Sequence, residues 1–178
     1  MNRFSMQQIY NSRCFNNTFI KMKIMDIRLA HNKCTRAHFV AILEELSTTD
    51  LNKIPVGFSN NIIWNIVHCM VTQQGLTYGL AGLEQHMSKG TILFYKHGTR
   101  PEKDVSSGEI EEFKNQLIPQ LDQMTSDYQN DKFDNFKEYT TSTGYLLRNI
   151  DDAMNLVNIH DGIHLGYVLA LRKALKDA

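Results

Sequence analysis

Apolar residues recur three and four positions apart along most of the chain, a spacing that predicts helices. From about Asp26 to Ser47 there is no proline or glycine, and Phe39, Ile42, Leu43 and Leu46 repeat with this period. The polar cluster Ser47-Thr48-Thr49-Asp50 is expected to end this first helix, whose first half is less amphipathic. After a loop with Pro55 and Gly57, Ser59 or Asn60 is placed to cap a second helix running to about Leu80. On it Trp64, His68, Val71, Gly75, Tyr78 and Gly82 follow a four-three alternation, beside a stripe of Ile63, Ile66, Val67 and Met70. More than half of its circumference is apolar, so it must be covered on several sides, as a helix inside a bundle is.

Residues 84–105 form a long basic connection with Lys89, Lys96, His97, Arg100 and Pro101, with room for a short helix or turn. Ser106 and Glu109 carry the signature of a capping box for a third helix. Ile110, Phe113, Leu117, Leu121 and Met124 make its apolar stripe, and Pro119 should bend it. Residues 129–148 are polar and turn-rich with Phe133, Phe136 and Tyr139 interleaved, and read as an ordered loop laying aromatics on the bundle surface. Asn149 with Asp152 starts a last helix reaching about Lys176. The fold class is all-α: one helical-bundle domain over residues 26–178, with a long connection after the second helix. Residues 1–25 bear Arg3, Arg13, Lys21 and Lys23 but no acid, and read as an N-terminal extension that packs poorly or as an over-called start.

Composition narrows the function. The 178 residues hold 19 Lys+Arg against 19 Asp+Glu with the signs interspersed, which argues against a nucleic-acid partner, whose phosphates must be neutralised. Cys14, Cys34 and Cys69 form no C-x-x-C pair, so neither a disulfide framework nor a zinc knuckle is expected, and a reducing cytoplasm fits. The most apolar stretch, Ile62 to Leu83, is interrupted by Asn65, His68, Gln73 and Gln74, so no membrane span is expected.

On the last helix Ala153, Val157, His160, His164, Tyr167, Leu171 and Ala174 occupy one four-three seam. His160 and His164 therefore take successive inward positions, about 5 to 6 Å apart at Cβ, from which two imidazoles can converge on one ion. His68 lies on the inward seam of the second helix. A lone histidine on such a seam is more often a core residue satisfied by a carbonyl or water. Two adjacent ones without a joint partner would cost about 1 to 3 kcal/mol each. His31, His38, His86 and His97 read as surface residues.

Asn61-Ile62-Ile63-Trp64-Asn65-Ile66-Val67-His68, followed by Asn158-Ile159-His160-Asp161-Gly162-Ile163-His164-Leu165-Gly166, resembles the DinB-like (YfiT-like) superfamily of metal-binding four-helix-bundle proteins. The likeness spans roughly residues 26–176. It implies a four-helix bundle of the up-down-down-up type and a divalent metal held by His68, His160 and His164. It also makes a homodimer plausible, with the aromatic loop as one contributor to an interface. The superfamily includes thiol-dependent S-transferases, an isomerase of the maleylpyruvate type and many members without an assigned activity.

Three neutral imidazoles leave at least one coordination position for water or substrate. Zinc, nickel and iron all accept imidazole, so the ion is not readable from the ligands. Asp161, Asn65 and Asn158 neighbour the ligands and could fix a tautomer, although ordinary interhelix hydrogen bonding explains them as well. Cys69 reads as a core thiol. Gly75, Gly79, Gly82, Gly162 and Gly166 suggest either close helix approach or room beside the metal. The expected function is a metal-dependent enzyme, a thiol-dependent S-transferase or a hydrolase, acting on a small molecule with a low-molecular-weight thiol as a candidate partner. The alternative is a non-catalytic metal-containing binding or stress-response module.

Overall fold

The computed structural model describes residues 27–176, so the extension expected over residues 1–25 lies outside the described residues. The first helix, α1 (27–45), explains its own weak amphipathicity: Arg28, Asn32 and Arg36, spaced by four, point inward ahead of Phe39, Ile42 and Leu43. Its buried stripe is continuous but changes from polar to apolar. The Ser47 cluster does not merely end α1. Ser47 Oγ accepts from Asp50 N at 3.1 Å and so caps a further short helix, α2 (Thr48–Asn52).

Helix α3 (Ile62–Gln74) is buried almost all round, as its composition requires. Its cap is Asn61 rather than Ser59 or Asn60, because Asn61 alone satisfies both sides of the junction. Its Oδ1 accepts from Trp64 N at 2.9 Å while its Nδ2 donates to Asn52 O at 2.8 Å, tying the start of α3 to the end of α2. The helix continues through a π-helical turn, Gly75–Gly79, to a C-cap at Leu80. Gly82 follows at φ +71°, a conformation that ends the run and disfavours any side chain.

The connection contains α4 (Lys89–Tyr95), capped by Ser88. The Ser106–Glu109 capping box is present at the start of α5 (Ser107–Gln116). Pro119 corrects the expectation of one bent helix. It occupies the first turn of a separate helix, α6 (Pro119–Gln129), where its missing N–H costs nothing. Leu117 and Leu121 are both fully buried, so the apolar stripe crosses the break.

The loop after α6 also differs from expectation. Phe133 is 4% exposed and meets Tyr78 edge-on at 5.1 Å between centroids, so it joins the core, whereas Tyr139 is 43% exposed. The segment then forms a small antiparallel hairpin, β1 (Tyr139–Thr140) and β2 (Leu146–Leu147), with Tyr139 opposite Leu147. Gly144 at φ +83° turns it. Asn149 Oδ1 accepts from Asp152 N at 3.0 Å and caps α7 (Ile150–Lys176).

Helices α3 and α7 pack along each other, and two apolar clusters form on either side of a polar layer. One cluster gathers Phe39, Ile63, Ile66, Val67 and Leu171, and the other Tyr78, Leu121, Phe133, Leu147 and Met154. Between them in chain order on each helix lie Asn32 and Arg36 of α1, Gln73 of α3 and Asp161 of α7, all buried. Arg36 Nε donates to Asp161 Oδ2 at 2.6 Å, Asn32 Nδ2 donates to the same oxygen at 3.2 Å, and Arg36 Nη2 donates to Gln73 Oε1 at 3.3 Å. Three helices are thus held in register by one carboxylate and one guanidinium. No helix among the described residues is long and apolar enough to cross a membrane.

Candidate metal centre

His68, His160 and His164 come together beside this polar layer. Their ring centroids are 5.1 Å (His68 to His160), 4.9 Å (His68 to His164) and 4.4 Å (His160 to His164) apart. One ligand nitrogen of each lies within 4.8 Å of those of the other two. Helix α3 supplies one ring and two successive turns of α7 supply the others.

Each anchored ring is oriented by a neighbour. His68 Nδ1 donates to the Tyr95 carbonyl at 2.6 Å, and the ring stacks on Trp64 at 4.7 Å with 9° between planes. His164 Nδ1 donates to Asn65 Oδ1 at 2.8 Å. The orientation of that amide is determined by its other end, since Asn65 Nδ2 donates to the Asn61 carbonyl at 2.7 Å and to Asn60 Oδ1 at 2.9 Å. With Nδ1 protonated in both rings, Nε2 carries the free lone pair, as a metal ligand requires. Thr72 Oγ1 lies 3.4 Å from His68 Nε2. Burial lowers His68 to about 4 and His164 to about 3, so both imidazoles are neutral at physiological pH.

The third ring faces Asp161. His160 Nδ1 and Asp161 Oδ1 are 3.8 Å apart, and each is buried without a hydrogen-bond partner. Burial disfavours the Asp161 charge, but Arg36 and the hydrogen bonds to the carboxylate outweigh it and hold its pKa below the usual range. Asp161 is therefore an interhelix ion-pair partner that also presents an oxygen toward His160.

Cys69, His160 and Asp161 form a second grouping of suitable atoms, but it fits a metal poorly. Asp161 is already neutralised by Arg36, and burial first, then Asp161, pushes the Cys69 thiol far up, keeping it protonated. Cys69 is the core thiol its position suggests. Asn158 is not at the centre: it lines a separate small cleft with Arg28 and Met154. Gly162 and Gly166 are exposed, and a Cβ on either would meet nothing within 4 Å, so neither close helix approach nor room beside the rings accounts for them.

Two of the rings, His68 and His160, open onto a cavity of about 450 Å³. His68 and His160 line one end, and Leu76, Leu156, Ile159 and Ile163 line its side. The hairpin borders it with Tyr139, Tyr145, Thr141, Ser142 and Thr143. His31, His38, His86 and His97 are all exposed, but His97 also lines this cavity, which the sequence reading missed. Nothing local marks it, because its place depends on α4 folding back over α3. Arg36 was missed too, although Arg28, Asn32 and Arg36 form a polar stripe at helical spacing that could have announced a buried partner.

A family model described as the DinB superfamily matches residues 33–168 of the chain. No curated protein matches it.

Proposed function

Because this chain belongs to the DinB superfamily, we propose that it is a metal-dependent enzyme in which His68, His160 and His164 hold one divalent ion. The reaction proposed is thiol-dependent S-transfer to, or hydrolysis of, a small molecule. The observation that carries this reading is the orientation of two of the three rings. Tyr95 O and Asn65 Oδ1 engage the Nδ1 side of His68 and His164, turning a free Nε2 lone pair toward the shared site. Thr72 Oγ1 lies a long 3.4 Å from His68 Nε2, a weak contact that an ion can displace. Zinc, nickel or iron suits three imidazoles. A bound ion of this kind supplies a Lewis acid that favours the deprotonated form of a thiol or a water near neutral pH.

The protein's own groups do the rest. Trp64 stacks on His68 and shields it, Thr72 offers a hydroxyl within reach of the same ring, and the hairpin borders the cavity. We include in this reading a four-helix-bundle arrangement, supported by the buried bonds from α1 to both α3 and α7, together with a cytoplasmic setting and a homodimeric state.

The test is elemental analysis of untagged protein, followed by turnover of 1-chloro-2,4-dinitrobenzene with a low-molecular-weight thiol by the wild type and His160→Ala. Stoichiometric metal with turnover that the variant loses supports the enzyme. Metal without turnover of any electrophile or ester leaves a non-catalytic binding or stress-response module. Metal-free protein that cannot be loaded overturns both.

A further inference from the structure

We infer that the cavity beside the three imidazoles selects a compact, uncharged molecule with an aromatic or branched aliphatic body and a single thiol or hydroxyl head. This deepens the proposed function and rests on it only for the anchoring of the head.

The lining decides the ligand. Among the described residues that line the cavity, none is Asp, Glu, Lys or Arg. Carried on the body of a ligand, away from the ion the imidazoles are proposed to hold, a carboxylate, phosphate or ammonium would leave water with no countercharge from the lining, a costly transfer. Hydroxyls from Thr72, Thr141, Ser142 and Thr143 can serve one or two uncharged polar groups instead. The size, about 450 Å³, lies in the range of small-molecule pockets.

Exposed apolar surface gives a second, independent argument. Ile159 and Ile163, four apart on α7, are 52% and 66% exposed, and Tyr145 across the cavity is 60% exposed. Large apolar side chains gathered around one concave site mark a surface that a ligand covers. Both isoleucines line the same cavity as His68 and His160, so a molecule lying on them can present its head to those two imidazoles.

The head and the body can be tested separately on the full-length chain. In metal-free protein, benzyl alcohol should produce saturable NMR shifts at the methyls of Leu156, Ile159 and Ile163, and Ile163→Ser, an exposed helix-surface change, should weaken that binding. In cobalt-loaded protein, phenylmethanethiol should bind at least about tenfold more tightly than glutathione, whose charges have no partner in the cavity, as read from the thiolate-to-cobalt absorption. Absence of saturable shifts at those methyls, or equal or tighter binding of glutathione, overturns the inference. Failure of the protein to take up cobalt overturns the metal centre alone, because the benzyl alcohol measurement does not depend on it.

Discussion

His164 Nδ1 stands 2.8 Å from Asn65 Oδ1, across the interface between α7 and α3. This one hydrogen bond links the helix that carries two candidate ligands to the helix that carries the third. By accepting from Nδ1–H it also keeps the ring's proton on that nitrogen and leaves Nε2 for the ion. Removing it with Asn65→Ala should lower metal affinity by about 10- to 100-fold, the usual consequence of losing a ligand's orienting partner. Competition with a chromophoric chelator measures this, and an unchanged affinity would show that packing alone orients the ring.

His164→Ala should lower metal occupancy while the helices still fold, because the two apolar clusters do not include it. Binding needs neutral imidazoles, and in the folded protein His68 and His164 stay neutral down to about 4 and about 3, so acid competes with the ion at these rings only toward that range. Thermal melts at about pH 7.5 and about pH 5.5, on either side of the free-imidazole value but both above these folded ones, should therefore show a chelator effect on the wild type at either pH. The variant should respond little at either. A wild-type melt that ignores chelator at the higher pH, with full metal retained by the variant, would refute the ligand set.

Metal-free protein should lose stability on acidification through the same rings. The folded pKa values of His68 and His164 are lowered to about 4 and about 3, against roughly 6.5 in the unfolded chain. The unfolded state thus takes up protons first, and each histidine removes up to ~1.4 kcal/mol per pH unit as pH falls below about 6.5 toward its folded pKa. Urea unfolding of chelated wild type and of His68→Gln/His164→Gln, followed from neutral to acid pH, should show the steeper loss in the wild type. Parallel curves would mean the rings are not held neutral.

Asp161→Ala should destabilise the fold by about 3 to 5 kcal/mol, because it strands the Arg36 guanidinium, fully buried, without its carboxylate. The double change Arg36→Met/Asp161→Leu removes both charges together and should recover most of that loss. Denaturant unfolding of the single and double variants measures the coupling. Additive effects would show that the two groups do not depend on each other.

Much of the secondary structure was legible because its causes are local. A helical stripe is a matter of residues three and four apart, and a cap is a bond across three, as with Ser106 to Glu109 and Asn149 to Asp152. The three histidines were legible for the same reason: His160 and His164 are one turn apart, and His68 stands on the most apolar helix of the chain. Local rules also set the limits. Ser47 was seen as an end but starts α2, and Pro119 was seen as a bend but starts α6, since the same residue types mark both boundaries.

Tertiary structure alone decided which polar groups meet. Arg36 and Asp161 are 125 residues apart, Asn65 and His164 are 99, and Tyr95 reaches His68 through its backbone carbonyl, which has no side-chain signature. A buried polar side chain announces in sequence only that it needs a partner. Who the partner is depends on how the helices close on one another, and the apolar stripes that drive closure are non-directional and leave that choice to the final packing.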